Sequence, residues 1–143
     1  MKLVIASDHA GYSLKEELKK HLEAKGHALV DLGTHSEEST DYPDFAHPAA
    51  EAVEKGEVDL GVIICGTGNG INIAANKHQG VRAALCWIPE IASLARQHNK
   101  ANICTLASRF TSTEESKKIV DAFLEAEFEG GRHERRVNKI ACS

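Results

Sequence analysis

The stretch that most constrains this chain is Val62-Ile63-Ile64-Cys65-Gly66-Thr67-Gly68-Asn69-Gly70. A short run of branched apolar residues that ends in glycines reads as a strand covered on both faces, as in a parallel sheet. Ile71 to Lys77 can then begin a helix. Strand, glycine loop and helix together make an anion-binding arrangement. Small residues let backbone N–H groups approach a ligand, and a helix start adds partial positive charge. Cys65 stands at the carboxyl tip of that strand. A cysteine so placed can have a lowered pKa and serve as base or nucleophile. The competing reading is a buried cysteine acting as a small hydrophobe before a glycine turn.

Three familiar loops are disfavoured by their own spacing. A phosphate-binding loop of the Walker type ends in Gly-Lys-Ser/Thr, and here Gly70-Ile71-Asn72 stands there. A dinucleotide fingerprint needs G-x-G-x-x-G, and the third glycine falls one position early. A cysteine phosphatase wants an arginine closing the loop, where this chain has Ile71.

The chain's 143 residues suit one domain, 1–143, with a full core. Its 17 basic and 21 acidic residues give a net charge of −4, which argues against nucleic acid as a partner. No apolar run nears the roughly 20 residues of a membrane span, and Leu3 to Ala6 is too short for a signal peptide. Four cysteines show neither C-x-x-C pairing nor zinc spacing, so free thiols in a cytoplasmic protein are expected. Cys86 and Cys104 fall in expected strands, where packing is their role.

In chain order, Lys2–Ser7 reads as a first strand ending in the polar loop Asp8-His9-Ala10-Gly11. Ser13 with Glu16 matches a capping box. The helix after it puts Leu14, Leu18 and Leu22 on one face, with Lys15, Glu16 and Lys19 elsewhere. Ala28–Leu32 is a second strand, residues 33–44 a polar connection, and about Asp44–Lys55 a helix. Asp59–Ile64 is the third strand, Val81–Cys86 the fourth and Ile103–Ala107 the fifth. Helices are expected from Pro89 to about Gln97, from residues 111–113 to about Phe128, and from near Arg132. Strands alternating with helices give a three-layer α/β/α, Rossmann-like fold with a five-stranded parallel sheet and a C-terminal helix. The expected order is 2-1-3-4-5. Winding then reverses between strands 1 and 3, and ligands bind outside the carboxyl ends of the strands at such a point. The loops there are Asp8-His9 and Cys65 to Gly70.

Each remaining candidate has two readings. Asp8 and His9 cap a loop, or form an acid/base and hydroxyl-binding pair. His98 and Asn99 close a helix, or serve a site. Tyr42 is packing, or a platform for a ring. Arg132 and Arg136 share a helical face, either as a solvated basic end or as a phosphate clamp that Arg109 can join. His21, His27, His35, His47, His78 and His133 show no metal-ligand pattern and read as surface residues.

These pieces together resemble the ribose/galactose/allose phosphate isomerase family, in particular ribose-5-phosphate isomerase B. The matching segments are Ser7-Asp8-His9-Ala10-Gly11, Asp41-Tyr42-Pro43, Cys65 to Gly70, Ala74-Ala75-Asn76-Lys77, Arg96-Gln97-His98-Asn99 and Gly130-Gly131-Arg132-His133. They run in one order along nearly the whole chain. The resemblance implies an aldose–ketose isomerase of the pentose phosphate pathway, without metal or cofactor. It would interconvert D-ribose 5-phosphate and D-ribulose 5-phosphate through an enediolate, with allose 6-phosphate or galactose 6-phosphate as alternative substrates. It implies that Cys65 is the base, that Thr67 assists it, and that His98 and Asp8 act on the sugar ring. The amides of Gly66, Thr67, Gly68, Asn69 and Gly70 would hold the oxyanion. Asn99 and Tyr42 would contact substrate, and His9, Arg109, Arg132 and Arg136 the phosphate. Some relatives place a glutamate where Ile71 stands, which leaves Cys65 as the candidate base. It also implies sites shared between two subunits of a homodimer that can pair further. A cysteine nucleophile and a non-catalytic phosphosugar-binding module are the readings from other classes.

Overall fold

The computed structural model describes residues 1–142. Five parallel strands form one sheet: β1 (Lys2–Ser7), β2 (Ala28–Asp31), β3 (Leu60–Cys65), β4 (Ala83–Leu85) and β5 (Ile103–Ala107). Six helices accompany them: α1 (Tyr12–Ala24), α2 (Pro43–Glu54), α3 (Asn69–Ala75), α4 (Pro89–Asn99), α5 (Thr113–Glu125) and α6 (Arg132–Val137).

The sheet is packed on both sides because alternate residues of its strands are apolar in both directions. Leu3, Ile5, Leu60, Val62, Ile64, Cys104 and Leu106 face one layer, with Leu14, Leu18 and Leu22 of α1, Ala92 and Ala95 of α4, and Ile119, Val120 and Phe123 of α5. Val4, Ala6, Ile63, Cys65 and Ile103 face the other, with Ala46, Ala49, Ala50 and Val53 of α2 and Ile71, Ala74 and Ala75 of α3. This is the period-2 alternation of a strand buried on both faces. The α/β/α class expected from the sequence is therefore present.

The strand order is β2-β1-β3-β5-β4, not 2-1-3-4-5. β5 is buried along four of its five residues, whereas β4 is three half-buried residues. The longer apolar strand takes the interior slot and the short one the edge, where less surface is covered. Both backbone groups of Ala83 bond to the Asn76 side-chain amide, at 2.8 and 2.9 Å, so the outer edge of β4 offers no ladder at that point. The reversal between β1 and β3 is unaffected.

Two local readings are also corrected. Ser13 caps nothing: it lies inside α1 and donates to Glu37 Oε1 at 3.0 Å. A 3-10 turn at His9–Gly11 feeds straight into α1, and Asp8 caps that turn instead. Lys15 is not on the polar face but fully buried, with its ammonium on Asp31 of β2 at 2.7 and 2.8 Å. The helix α5 stops at Glu125 rather than near Phe128, because Ala126 is already extended.

Candidate active site

The parallel registers bring the carboxyl ends of β1, β3 and β5 level, with Ser7 beside Ile64 and Cys65 beside Ala107. Three loops leave together, each carrying functional groups. Asp8 N–H donates to Ile64 C=O (3.3 Å), Ser108 N–H to Cys65 C=O (3.0 Å) and Arg109 N–H to Gly66 C=O (3.0 Å). The Ser108 hydroxyl donates to Ala10 C=O at 2.8 Å, spanning β3 to reach the first loop. Sequence reasoning missed this staple, since a serine after a strand gives no sign of a partner 98 residues away.

A crevice of about 230 Å³ opens over these strand ends, lined by Asp8, His9, Tyr42, Cys65, Gly66, Thr67, Gly70 and Arg109, with Ala10. All eight were singled out from the sequence. Cys65 forms its buried floor, 4% exposed. Asp8 is buried as well, and its Oδ1 accepts Gly11 N–H at 3.1 Å. The loop-cap reading of Asp8 therefore holds, while its crevice position keeps it available to a ligand. Gly68 begins α3 with φ +77°, and a Cβ there would lie 2.4 Å from Leu85 Cδ1, so only glycine fits. Gly70 lies under the Tyr42 ring, whose atoms would be 2.7 Å from an added Cβ. The tyrosine is thereby held across the loop. The Arg109 guanidinium lies over Gly66 and pairs with no carboxylate among the described residues.

The Thr67 hydroxyl accepts Asn69 N–H at 3.2 Å, a local turn just before α3. The following first-turn N–H groups have no intrahelical acceptor by geometry. Asn69 itself faces a neighbouring cavity of about 510 Å³ with Thr67, Leu85, Cys86, Trp87 and Phe110. That larger space is mostly apolar and lacks Cys65, Asp8 and Arg109. It is less suited to a polar ligand despite its volume. Cys86 lies just past β4 rather than within it, and Cys104 lies inside β5; both are buried.

His98, Asn99 and Arg136 are elsewhere. They line a separate cavity of about 300 Å³ with His133, Val137 and Ile140, which shares no residue with the crevice. Arg132 sits exposed at the start of α6. His98 ends α4, so the helix-end reading describes its position, and its ring stacks on His133 with centroids 4.2 Å apart and planes 10° apart. Both Nε2 atoms lie 3.6 Å from Glu129 Oε1. His133 is thus no surface residue: its side chain is 12% exposed. Burial first, then His98 and Arg132, push its imidazole below the ordinary histidine value. His98, Glu129 and His133 form the one group of three possible metal ligands among the described residues. Two parallel rings direct their in-plane nitrogens side by side. Meeting one ion at about 2.1 Å would require a ring to swing. The arrangement suits a stacked imidazole pair beside one carboxylate better than a metal centre.

No helix among the described residues is long and apolar enough to cross a membrane.

Comparison with known proteins adds a second line. A family model described as Ribose/Galactose Isomerase matches residues 3–140. Ribose-5-phosphate isomerase B of Escherichia coli (strain K12) is 50% identical over 141 residues, covering 99% of this chain and 95% of that protein. The structure of ribose-5-phosphate isomerase B from Clostridium thermocellum superposes with a TM-score of 0.97 at 52% identity, covering 98% of this chain and 95% of the other. That of the Mycoplasma genitalium enzyme with bound ribulose-5-phosphate gives 0.93 at 51% identity, covering 97% and 93%.

Proposed function

The chain belongs to the ribose/galactose isomerase family, and we propose that it interconverts D-ribose 5-phosphate and D-ribulose 5-phosphate with Cys65 as the base. The observation that carries this reading is the crevice itself. A buried thiol sits at the floor of a small polar cavity, beside a glycine loop, a carboxylate and an unpaired guanidinium.

The chemistry needs each part. In the open-chain aldose, a base removes the proton from C2, the electron pair moves to form an enediolate, and a proton returns at C1. Sugar C–H groups are weak acids, so the oxyanion must be stabilised as it forms. Backbone donors fixed by Gly66 to Gly70 do this with little reorganisation. Phosphate contacts from His9 and Arg109 hold the far end of the sugar and supply binding energy for orientation. Asp8 holds the hydroxyls, and Tyr42 closes the outer side.

Ring opening and the remaining phosphate contacts fall to His98, Asn99, Arg132 and Arg136. They lie outside the crevice of their own chain, which supports a site completed by a second copy of the chain in a homodimer. The stacked His133 and the Glu129 carboxylate then steady His98 as a proton donor to the ring oxygen.

Turnover of D-ribose 5-phosphate, followed as ribulose formation, tests the proposal. The wild type is expected to isomerise it, and Cys65→Ser to lose on the order of 10²–10⁴ in kcat, the range of acid–base catalysis. A Cys65→Ser variant that keeps near wild-type kcat removes Cys65 from the reaction.

A further inference from the structure

His9 is held from outside by one residue. Its backbone N–H donates to Thr40 Oγ1 at 3.0 Å, and its ring Nδ1 lies 3.1 Å from the Thr40 backbone nitrogen and 3.4 Å from Thr40 Oγ1. A backbone amide nitrogen can only donate. The Nδ1 facing it must therefore present its lone pair, and the proton of the neutral ring sits on Nε2. The obligatory donor settles the tautomer without any reference to observed hydrogens. With Nδ1 occupied on the loop side, Nε2–H is the polar group His9 can offer to a ligand. A phosphate oxygen accepts hydrogen bonds and would be repelled by the lone pair that the other tautomer shows there.

Thr40 belongs to the connection between β2 and α2. Two residues later the same segment places Tyr42 across Gly70. One segment thus fixes both the ring that covers the crevice and the edge that His9 turns toward it. We propose that Thr40 is a positioning residue for phosphate recognition, holding His9 in the Nε2–H form toward the crevice. This rests on the phosphosugar reading of the site.

Two readouts test it. Ring nitrogen-15 NMR of the substrate-free enzyme, with His9 identified by difference from His9→Gln, is run at alkaline pH, where imidazoles are neutral. The wild type should show His9 protonated at Nε2. Thr40→Pro, which removes the backbone donor, should shift it toward a mixture, while Thr40→Val, which keeps that amide, should leave it in place. Kinetics with D-ribose 5-phosphate should show KM raised about 2- to 10-fold in Thr40→Val, the span of one neutral hydrogen bond, with kcat nearly unchanged. Inhibition by inorganic phosphate should weaken by the same factor. Thr40→Ser, which keeps the oxygen, should restore both the KM and the phosphate inhibition. If Thr40→Val does not fold, Thr40→Ala supplies the same contrast. An Nδ1–H tautomer in the wild type overturns the proposal. So does a Thr40→Val whose KM matches the wild type, one whose loss falls on kcat alone, or a folded Thr40→Pro that keeps the wild-type tautomer. Failure of the wild type to isomerise ribose 5-phosphate instead overturns the functional reading, and the tautomer and phosphate measurements still decide the role of Thr40.

Discussion

The buried Lys15–Asp31 pair should dominate the stability of the β1–β2 edge, and its two halves are unequal. Asp31 accepts from Lys15 Nζ at 2.7 and 2.8 Å and from Gly33 N–H at 2.9 Å, and it pairs with Lys19 Nζ at 2.8 Å. Lys15, with no exposed side-chain surface, otherwise has Glu16 at 3.3 Å, whose side chain is 35% exposed, and the Tyr12 ring, its centroid 5.5 Å from Nζ. Asp31→Asn therefore strands a buried ammonium beside one water-screened carboxylate. Breaking a buried pair from one side costs 3–5 kcal/mol, and the residual Glu16 contact places this variant at about 3 kcal/mol. Lys15→Met removes the buried charge itself, while Asp31 keeps Lys19 and Gly33, so about 1 kcal/mol is expected. The double variant should be more stable than Asp31→Asn alone, a coupling of about 2 kcal/mol.

The pH dependence follows from the same contacts. Burial by itself raises the Asp31 carboxyl, but the bonds from Lys15, Lys19 and Gly33 outweigh it and set the value at about 2. The folded value lies below the unfolded one of about 3.9. The stabilisation is thus complete above about pH 4 to 5 and is lost as pH falls toward 2. With Asp31 partly open to solvent, that pH-dependent part is about 1–2 kcal/mol after screening. Urea unfolding of the four proteins at pH 7 and pH 3 measures all of this. A loss below 1 kcal/mol for Asp31→Asn at pH 7 refutes the reasoning, as does a double variant no more stable than Asp31→Asn.

Gly70→Ala drives a methyl into the Tyr42 ring and should raise KM for ribose 5-phosphate, with Tyr42→Ala in the same background relieving part of the defect; equal KM values for wild type and Gly70→Ala contradict it. Arg109→Ala and Arg136→Ala should each weaken substrate binding by about 1.5–3 kcal/mol, the worth of a charge-assisted contact, seen in KM more than kcat. An unchanged KM moves the phosphate elsewhere. Mixing inactive Cys65→Ala and His98→Ala proteins under subunit exchange should restore part of the activity. No recovery despite verified exchange assigns both groups to one chain.

The strands with continuous apolar runs, β1, β3 and β5, were legible to within a residue or so, as were the glycine loop and the switch point beside it. Seven of the eight crevice residues followed because the loops at the ends of β1, β3 and β5 gather there in a parallel sheet; Tyr42, at the start of α2, came from its polar connection and the family resemblance. The position of β4 was not legible. Val81 to Cys86 is as apolar as an interior strand, and only the packing of the finished sheet demotes it to an edge. Thr40, Ser108 and His133 were missed for a shared reason. Each acts through a partner far away in sequence, and a lone hydroxyl or imidazole carries no periodic signal. Lys15 had a faint one, since it adjoins Leu14 on the packed side of α1, but a lysine there reads as solvated until Asp31 is seen across from it.

The exchange of β4 and β5 has a chemical consequence. Neighbouring strands lie about 4.8 Å apart. With β4 in the interior slot, β5 would stand one strand further from β3. The hydrogen bond from Arg109 N–H to Gly66 C=O would then be out of reach, and so would the span of the Ser108 hydroxyl to Ala10. The guanidinium would end beside the neighbouring apolar cavity instead of over Gly66. A permutation of two strands, with every residue kept, would leave the same helices and the same glycine loop but deprive the crevice of its cation.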